Sequence, residues 1–477
     1  MIQKDKILKS ITVFGGLQFL NLAIGIIRSK LAAVWLGTQG VGFLGLIVTT
    51  FNLLVGILNL GLPTSTIKHL SGKSGNTLSK NIRVVEILSI VLGLVGGLIC
   101  LIFARILSEN TFKTTDYTWA FQLLSVSLFL KQISSIYSSI IQSRVNLKHL
   151  ANANIVANLI GILFTLPLYY YYRIDGIIYN IMVVGLVELI VFYVFFKKLK
   201  FENAKISEKD FVNESKEILG DGFFFNLSGN LTLLSSYLLQ VFITYYGGMI
   251  ILGNYFSGYT ILNTYVSIIF TAMSVDYFPR VSKNKEDIKA MNEEVNFQIF
   301  IGIVLLLPIL LFLLIFSEIV IEILFSKDFL ETALYVQIAV LGVFFKLFSW
   351  SLGFIILAKG SRKMIISNAL LFNVLFIVIH ILGFYIKGLI GLAVASNVYF
   401  LLHLLWNYWL TNKKLNVIVE KKQLKLYFYC SLILLISIVI NYVALDSILK
   451  KAILSTILVF SSIWSLKQMN LIFKWIK

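Results

Sequence analysis

The chain has 477 residues, of which 58% are hydrophobic and 13% charged, and its mean hydropathy is +0.88. Soluble domains carry about 45–50% apolar and about 25% charged residues, so this composition excludes an ordinary soluble protein. The two cysteines lie in apolar runs and the four histidines lack metal-ligand spacing, so we expect neither a disulfide framework nor a metal site. The net charge of +18 comes from short basic clusters between apolar segments, which is typical of membrane topology and not of nucleic-acid binding.

Apolar segments long enough to cross a bilayer, which takes about 20 residues, recur along the whole chain. In chain order they cover residues 9–33, 41–62, 84–106, 118–140, 151–172, 177–197, 222–245, 256–276, 297–317, 333–357, 365–386, 388–410, 428–446 and 452–466. Most of the 41 Lys and Arg residues fall in the connections between spans that lie on the same side of the membrane as the N-terminus. The sequence therefore predicts an all-α integral membrane protein of about 14 transmembrane helices with both termini in the cytoplasm.

An internal repeat relates the two halves of the chain at an offset of 216 residues. This offset carries Leu36-Gly37 onto Leu252-Gly253 and Pro63 onto Pro279, so the Leu-Gly pair precedes the proline by the same interval in both halves. Each copy holds six spans, an even number, so the copies have the same topology and are expected to be related by a pseudo-two-fold axis along the membrane normal.

The repeat predicts four parts of the chain. Residues 1–200 form an N-terminal six-helix lobe, and residues 201–221 a cytoplasmic linker between the lobes. Residues 222–411 form the second six-helix lobe, and residues 412–477 an additional transmembrane pair with a cytoplasmic tail. Substrate sites in transporters of this plan lie near the bilayer midplane.

Two lysines lie in the middle of predicted spans, Lys131 in the fourth and Lys346 in the tenth. A charge at this depth costs about 2.5–3.5 kcal/mol on insertion scales, so each requires an explanation. The repeat offset places Lys131 one position from Lys346, so we expect two cations at similar depth in the two lobes. They would form a cationic cavity for an anionic headgroup such as a diphosphate. Alternatively, each lysine pairs with a buried carboxylate or extends to the membrane surface.

Arg28 and Lys30 lie in the outer part of the first span. A guanidinium binds phosphate through two parallel hydrogen bonds, which an ammonium does not, so both residues are candidates for the same headgroup site. The alternative is that they only mark the outer end of the helix.

Two carboxylates are candidates for ion coupling, Glu188 in the sixth span and Asp276 at the inner end of the eighth. Desolvation favours the protonated form of a carboxyl group, so such a residue can take up a proton or ion during transport. Alternatively, Glu188 neutralises Lys131, and Asp276 pairs with Arg280 at the inner surface.

Several segments resemble one transporter family. The run 28–37 (RSKLAAVWLG), followed by Gly40-Val41-Gly42, resembles the first-span signature of the Wzx-type O-antigen flippases of the multidrug/oligosaccharidyl-lipid/polysaccharide exporter superfamily. Further matches follow in the family's order at residues 61–69, 265–283, 324–329 and 346–360. The resemblance covers about residues 9–410. Common members have twelve spans, and this chain departs by adding the C-terminal pair.

The resemblance implies a flippase and not an enzyme. Its substrate would be an undecaprenyl-diphosphate-linked oligosaccharide repeat unit, used for O-antigen in lipopolysaccharide biosynthesis or for a similar surface polysaccharide. Alternating access would move it to the outer face of the bacterial inner membrane. The lipid bilayer and the polysaccharide polymerase machinery are the further implied partners.

The resemblance also assigns residues. Lys68 joins the headgroup-binding residues, and spans 1, 2, 7 and 8 line the cavity. The polar lining of this cavity would include Asn226, Ser228, Asn230, Gln240 and Asn263. Since the sequence has no GxxxxGK[ST] motif, we expect a proton or sodium gradient to drive transport, without a cofactor.

Three alternatives stay open. A lipid II flippase of the same superfamily fits the fourteen-span plan. A cation-coupled multidrug antiporter would carry amphipathic cations, which Arg28, Lys131 and Lys346 would repel. A membrane polysaccharide polymerase usually needs a sizeable outer loop, and the outer loops here are short.

Overall fold

A computed structural model describes residues 2–144, 147–201, 206–443 and 446–476, which form fourteen α-helices. They are α1 (Ile2–Leu58), α2 (Leu62–Leu70), α3 (Gly75–Ile102), α4 (Ala104–Phe112), α5 (Thr118–Ser143), α6 (Leu147–Tyr172), α7 (Gly176–Lys197), α8 (Glu208–Tyr259), α9 (Ser267–Lys283), α10 (Ile288–Leu324), α11 (Glu331–Lys359), α12 (Arg362–Leu415), α13 (Lys421–Tyr442) and α14 (Ser447–Ile476). A π-helical turn, Thr260–Tyr265, joins α8 to α9, and a 3₁₀ turn, Lys327–Phe329, precedes α11.

Within the described ranges, eleven helical stretches are long and apolar enough to cross a membrane. Three of them, 21–58, 226–283 and 362–415, are long enough to hold two predicted spans each. Each of the fourteen predicted spans overlaps one of these stretches. Five predicted spans, 9–33, 41–62, 84–106, 222–245 and 428–446, extend beyond the stretch that they overlap, and residues 444–445 of the thirteenth lie outside the described residues. The predicted fold class, an all-helical multi-pass membrane protein, is thereby confirmed.

The long helices change direction at glycines with a positive φ. Gly37 in α1 has a φ of 66° and Gly248 in α8 a φ of 79°, a region in which a residue without a Cβ is not strained. The chain can turn there without a loop, which is why two spans appear as one continuous helix. Gly253, the repeat partner of Gly37, has a different role, since a Cβ on it would collide with the carbonyl oxygen of Thr38. It permits close packing of α8 on α1.

By their internal packing the residues form two compact units, 1–253 and 254–477. The first unit comprises α1–α7 and most of α8. Hydrogen bonds fix α8 to the second half of α1, because the amides of Asn226 and Asn230 both donate to the carbonyl oxygen of Gly56, at 3.0 and 2.9 Å. The Gln240 amide donates to Thr49 Oγ1 at 2.8 Å. The lobe boundaries predicted from the repeat stay a prediction.

Large apolar side chains also cover much of the outer surface. Ile102, Leu163 and Phe460 are 73%, 65% and 69% exposed, on three different helices. A soluble monomer rarely exposes contiguous apolar area on this scale, whereas lipid chains solvate it without cost. The chain is thus a multi-pass integral membrane protein. Its polar groups inside the bilayer need partners within the protein, so each charged residue there has either a partner or a function that explains it.

Candidate functional site

Arg28 lies on the face of α1 that packs against α6 in the first unit. Its Nη2 atom is 3.9 Å from the position that a Cβ on Gly161 of α6 would take, so the guanidinium lies directly beside the α6 backbone. Its Nε and Nη2 atoms are buried and have no hydrogen-bond partner within the described part of the chain. A buried N–H group without an acceptor costs about 1–3 kcal/mol, so this arrangement needs a compensating function.

Polar side chains of α6 and α7 surround the same region. Thr165 Oγ1 donates to Asn180 Oδ1 at 2.7 Å, and Asn180 Nδ2 donates to the buried Tyr169 hydroxyl at 3.4 Å. The Asn158 amide donates to Asn21 of α1 at 3.0 Å. The sequence analysis did not single out these residues. The signal was present, since Asn154, Asn158, Gly161 and Thr165 recur at three- and four-residue spacing and hence on one helix face.

Lys30 follows Arg28 by two residues and is half-buried. Residues two apart on a helix do not share a face, so the helix does not direct the two side chains to one point. Arg28 is therefore the stronger candidate for the headgroup site.

Lys131 and Glu188 form an ion pair between α5 and α7. Lys131 Nζ lies 2.7 Å from Glu188 Oε2, and the side chains are 37% and 23% exposed. The carboxylate offsets much of the cost of an ammonium group at this depth. A headgroup phosphate can contact Lys131 only in competition with Glu188.

Lys68 lies at the end of α2, where its Nζ atom is 2.6 Å from Asp221 Oδ2 at the first half of α8. His69 Nε2 lies 3.1 Å from the same oxygen. These hydrogen bonds, first from Lys68 and then from His69, hold the pKa of the Asp221 carboxyl below its ordinary value. Three further contacts join α3 and the loop before it to α8: Lys73 with Glu214, Asn81 with Glu214, and Lys80 with Asp210.

This charged cluster makes Lys68 part of a contact between α2–α3 and α8. The helices approach closely beside it, since a Cβ on Gly61 would collide with the carbonyl oxygen of Gly222. Lys68 is 55% exposed at its side chain, so a role in substrate binding would require it to leave Asp221.

Lys346 is half-buried in the second unit, on α11. Its Nζ atom donates to Asn263 Oδ1 at 3.1 Å and to Ser267 Oγ at 3.3 Å. The rings of Phe270 and Phe400 lie 5.4 and 5.8 Å away, within cation–π range. No carboxylate within the described residues lies at salt-bridge distance from this amino group, so its partners there are neutral oxygens and aromatic rings.

The position of Asn263 depends on the π-helical turn Thr260–Tyr265. A π-turn inserts one residue into a helix and is frequent at functional sites. Here it directs the amide oxygen of Asn263 toward Lys346, a detail that hydropathy and periodicity do not reveal.

Asp276, the second coupling candidate, pairs with Arg280 one helical turn later, at 2.7 Å. Arg280 also lies 2.9 Å from Glu294 of α10, so the three residues fasten α9 to α10. The Asp276 side chain is 66% exposed.

The remaining polar residues assigned by resemblance have different environments. Asn226, Asn230 and Gln240 make the contacts between α8 and α1 described above, whereas Asn263 binds Lys346. Ser228 is exposed on α8. Within the described ranges, no group of three or more His, Cys, Asp or Glu residues is arranged to hold a metal ion.

A family model described as "Polysaccharide biosynthesis protein" matches residues 33–334. An uncharacterised membrane protein of Methanocaldococcus jannaschii is 24% identical over 445 residues, which cover 87% of this chain and 86% of that protein.

Among solved structures, the lipid II flippase MurJ in an inward closed conformation covers 97% of this chain and 100% of its own, with a TM-score of 0.74 at 17% identity. An inward-facing multidrug resistance MATE family transporter of the MOP superfamily covers 82% of this chain and 93% of its own, with a TM-score of 0.66 at 15% identity. These likenesses show that the chain has the same all-helical fold as the MurJ and MATE transporter structures.

Proposed function

The chain belongs to the polysaccharide biosynthesis protein family, and from this premise we propose that it is a flippase for undecaprenyl-diphosphate-linked oligosaccharide repeat units. It moves the sugar headgroup from the cytoplasmic to the outer face of a bacterial inner membrane by alternating access. Both termini lie in the cytoplasm, and a proton or sodium gradient supplies the energy. The repeat unit serves O-antigen or a similar surface polysaccharide.

One observation carries this proposal: the buried guanidinium of Arg28 has two nitrogen atoms without hydrogen-bond partners in the described chain. A positive charge held at membrane depth without an acceptor is unfavourable unless an anionic ligand completes it. Phosphate oxygens match the planar guanidinium through parallel hydrogen bonds. The neighbouring Asn158, Thr165 and Asn180 offer the amide and hydroxyl groups that sugar hydroxyls require.

Lys346 supplies a second cation. Its ammonium group rests on neutral oxygens and aromatic rings, so its charge is not cancelled by the protein. An anionic headgroup would be attracted to it, and an amphipathic cation would be repelled.

Lys131 and Glu188 provide a means of coupling. We infer that a headgroup phosphate that binds Lys131 displaces the Glu188 carboxylate, which lies 2.7 Å from the ammonium group. The displaced carboxylate is then free to take up a proton or a sodium ion. Binding of substrate and binding of the coupling ion would thus be linked through one lysine. Asp276, exposed and paired with Arg280, contributes at the inner surface at most.

The proposal is tested by deleting the gene and measuring undecaprenyl-diphosphate-linked oligosaccharide together with surface polysaccharide. We expect the lipid-linked unit to accumulate and the surface polysaccharide to fall. Complementation with Arg28→Gln should fail, whereas Arg105→Gln, which removes an exposed arginine with a 75% exposed side chain, should restore export. Unchanged lipid intermediates in the deletion strain would refute the proposal.

A lipid II flippase is the second candidate, favoured by one observation. The likeness to MurJ extends over 97% of this chain, including the C-terminal helices, whereas the MATE transporter covers 82%. The mass of the accumulated intermediate separates the two functions, because lipid II carries a peptide and the oligosaccharide unit does not.

A further inference from the structure

A groove open to the bilayer runs between α10, α13 and α14 in the second unit. Its deeper part is a cavity of about 540 Å³ lined by Leu307, Ile433, Ile436, Ile457 and Phe460. A second cavity of about 730 Å³ continues from it toward the beginning of α13. Leu426, Tyr429 and Trp464 line both, so the two cavities form one continuous groove, here called the α13 groove.

The deeper part of the α13 groove suits hydrocarbon chains. Its lining is almost entirely apolar, and Ile436 and Phe460 are 52% and 69% exposed. Apolar side chains with this exposure on a membrane helix face lipid.

The mouth of the groove has the opposite character. Lys421, Lys422 and Lys425 line it, all from the first two turns of α13. None of the three lies within salt-bridge distance of a carboxylate in the part of the chain that the structure describes. The neighbouring Glu420 is exposed and does not line the groove. The mouth therefore carries a local excess of positive charge, on the side of the membrane predicted to be cytoplasmic.

Aromatic residues mark the level at which the two parts meet. Tyr429 and Trp464 line both cavities, and such amphipathic rings are enriched at the headgroup level of membranes. A lipid whose phosphate lies at the lysines would place its glycerol backbone at this level and its acyl chains among the isoleucines.

A polar group at the mouth also lacks a partner. Gln423 Oε1 is buried and accepts no hydrogen bond from the described residues. It requires a donor close to the phosphate level, such as a hydroxyl of a glycerol headgroup. A polyprenyl diphosphate carries no alcohol hydroxyl, so it satisfies Gln423 less well.

We propose that the α13 groove binds an anionic phospholipid of the inner leaflet, with phosphatidylglycerol as the matching class. Lys421, Lys422 and Lys425 bind the phosphate, Gln423 accepts from the headgroup hydroxyl, and the acyl chains fill the apolar part. The bound lipid then bridges α10 to the C-terminal helix pair. This site is independent of the transported headgroup and of Arg28.

The test uses the purified full chain and native mass spectrometry, with phosphatidylglycerol, phosphatidylcholine and undecaprenyl diphosphate as probes. The groove variant is K421Q/K422Q/K425Q. The matched control, K363Q/K413Q/K414Q, removes three exposed lysines on the same predicted side that do not line the groove. Each lysine near an anionic headgroup contributes a factor of about five, so the groove variant should bind phosphatidylglycerol on the order of 100-fold more weakly, and the control should bind as the parent does.

A second variant, Thr456→Trp, fills the apolar part and leaves all lysines in place. It should also lose phosphatidylglycerol, and its thermal unfolding should match that of the parent. Equal affinity of the parent for phosphatidylglycerol and phosphatidylcholine would overturn the proposal, as would unchanged binding in K421Q/K422Q/K425Q. Binding of undecaprenyl diphosphate alone would assign the groove to the transported lipid and would likewise overturn it.

Discussion

Replacing Lys131 and Glu188 singly and together separates the two roles that the pair can have. The variants are Lys131→Gln, Glu188→Gln and the double variant. Each single change leaves one charge at membrane depth without its partner at 2.7 Å. Losing one partner of a fully buried pair costs about 3–5 kcal/mol, and an exposed pair contributes about 0–1 kcal/mol. Because these side chains are 37% and 23% exposed, we expect a loss of about 1–3 kcal/mol for each single variant.

The double variant removes both charges, so its loss should be smaller than the sum of the two single losses by at least about 1 kcal/mol. Stability is compared as the half-life of the purified chain in detergent at a fixed elevated temperature, since membrane proteins often unfold irreversibly. Additive losses would refute the conclusion that the pair stabilises the unit.

Transport by the same variants then tests the coupling proposal. Export of the lipid-linked unit is measured in the deletion strain. If Lys131 binds the headgroup, the double variant should be stable and inactive. If the double variant exports normally, Lys131 and Glu188 only neutralise each other, and the proposed link between substrate and ion is wrong.

Three further predictions follow from other contacts. Arg28→Met should lower export at least about tenfold, since charge-assisted hydrogen bonds contribute about 1.5–3 kcal/mol. The same change should raise the stability of the purified chain by about 1 kcal/mol, because it removes a buried donor that has no partner. A destabilised variant would show that Arg28 has a structural partner. Lys346→Met should abolish export, whereas the control Lys359→Met, at the end of α11, should not. Export is measured in the deletion strain, and equal activity of the two variants would show that Lys346 does not bind the headgroup. The pKa of Asp221 is lowered by Lys68 and His69, so its contribution to the contact of α2 with α8 is present above the unfolded-state pKa of aspartate and is lost as pH falls through the lowered value. Amide hydrogen exchange in α2 of the parent should therefore rise only under strongly acidic conditions. In Asp221→Asn it should be raised already at neutral pH. Similar exchange in both proteins would contradict the pairing of Asp221 with Lys68 and His69.

The residues of the candidate site differ in how far the sequence predicted them. Lys131, Lys346 and Arg28 are charges inside apolar spans, so their cost in a bilayer identifies them without a structure. The sequence also offers Glu188 as a partner of Lys131, since this carboxylate lies within a predicted span of the same half of the chain. Lys68 was assigned by resemblance alone, and its contact with Asp221, 153 residues away, emerged only from the packing of α8.

The sequence by itself determined the number of spans, the helical class and the positions of the intramembrane charges, because hydropathy and backbone hydrogen bonding act within about 20 consecutive residues. Only the tertiary structure decided which charges have partners. Lys131 meets Glu188 because α5 packs on α7, whereas Nε and Nη2 of Arg28 are buried beside α6 without a hydrogen-bond partner in the described chain. The same holds for the α13 groove, whose lysines are adjacent in sequence but whose apolar walls come from three helices. Partner choice depends on helix crossing and register, and these are set by the packing of distant segments.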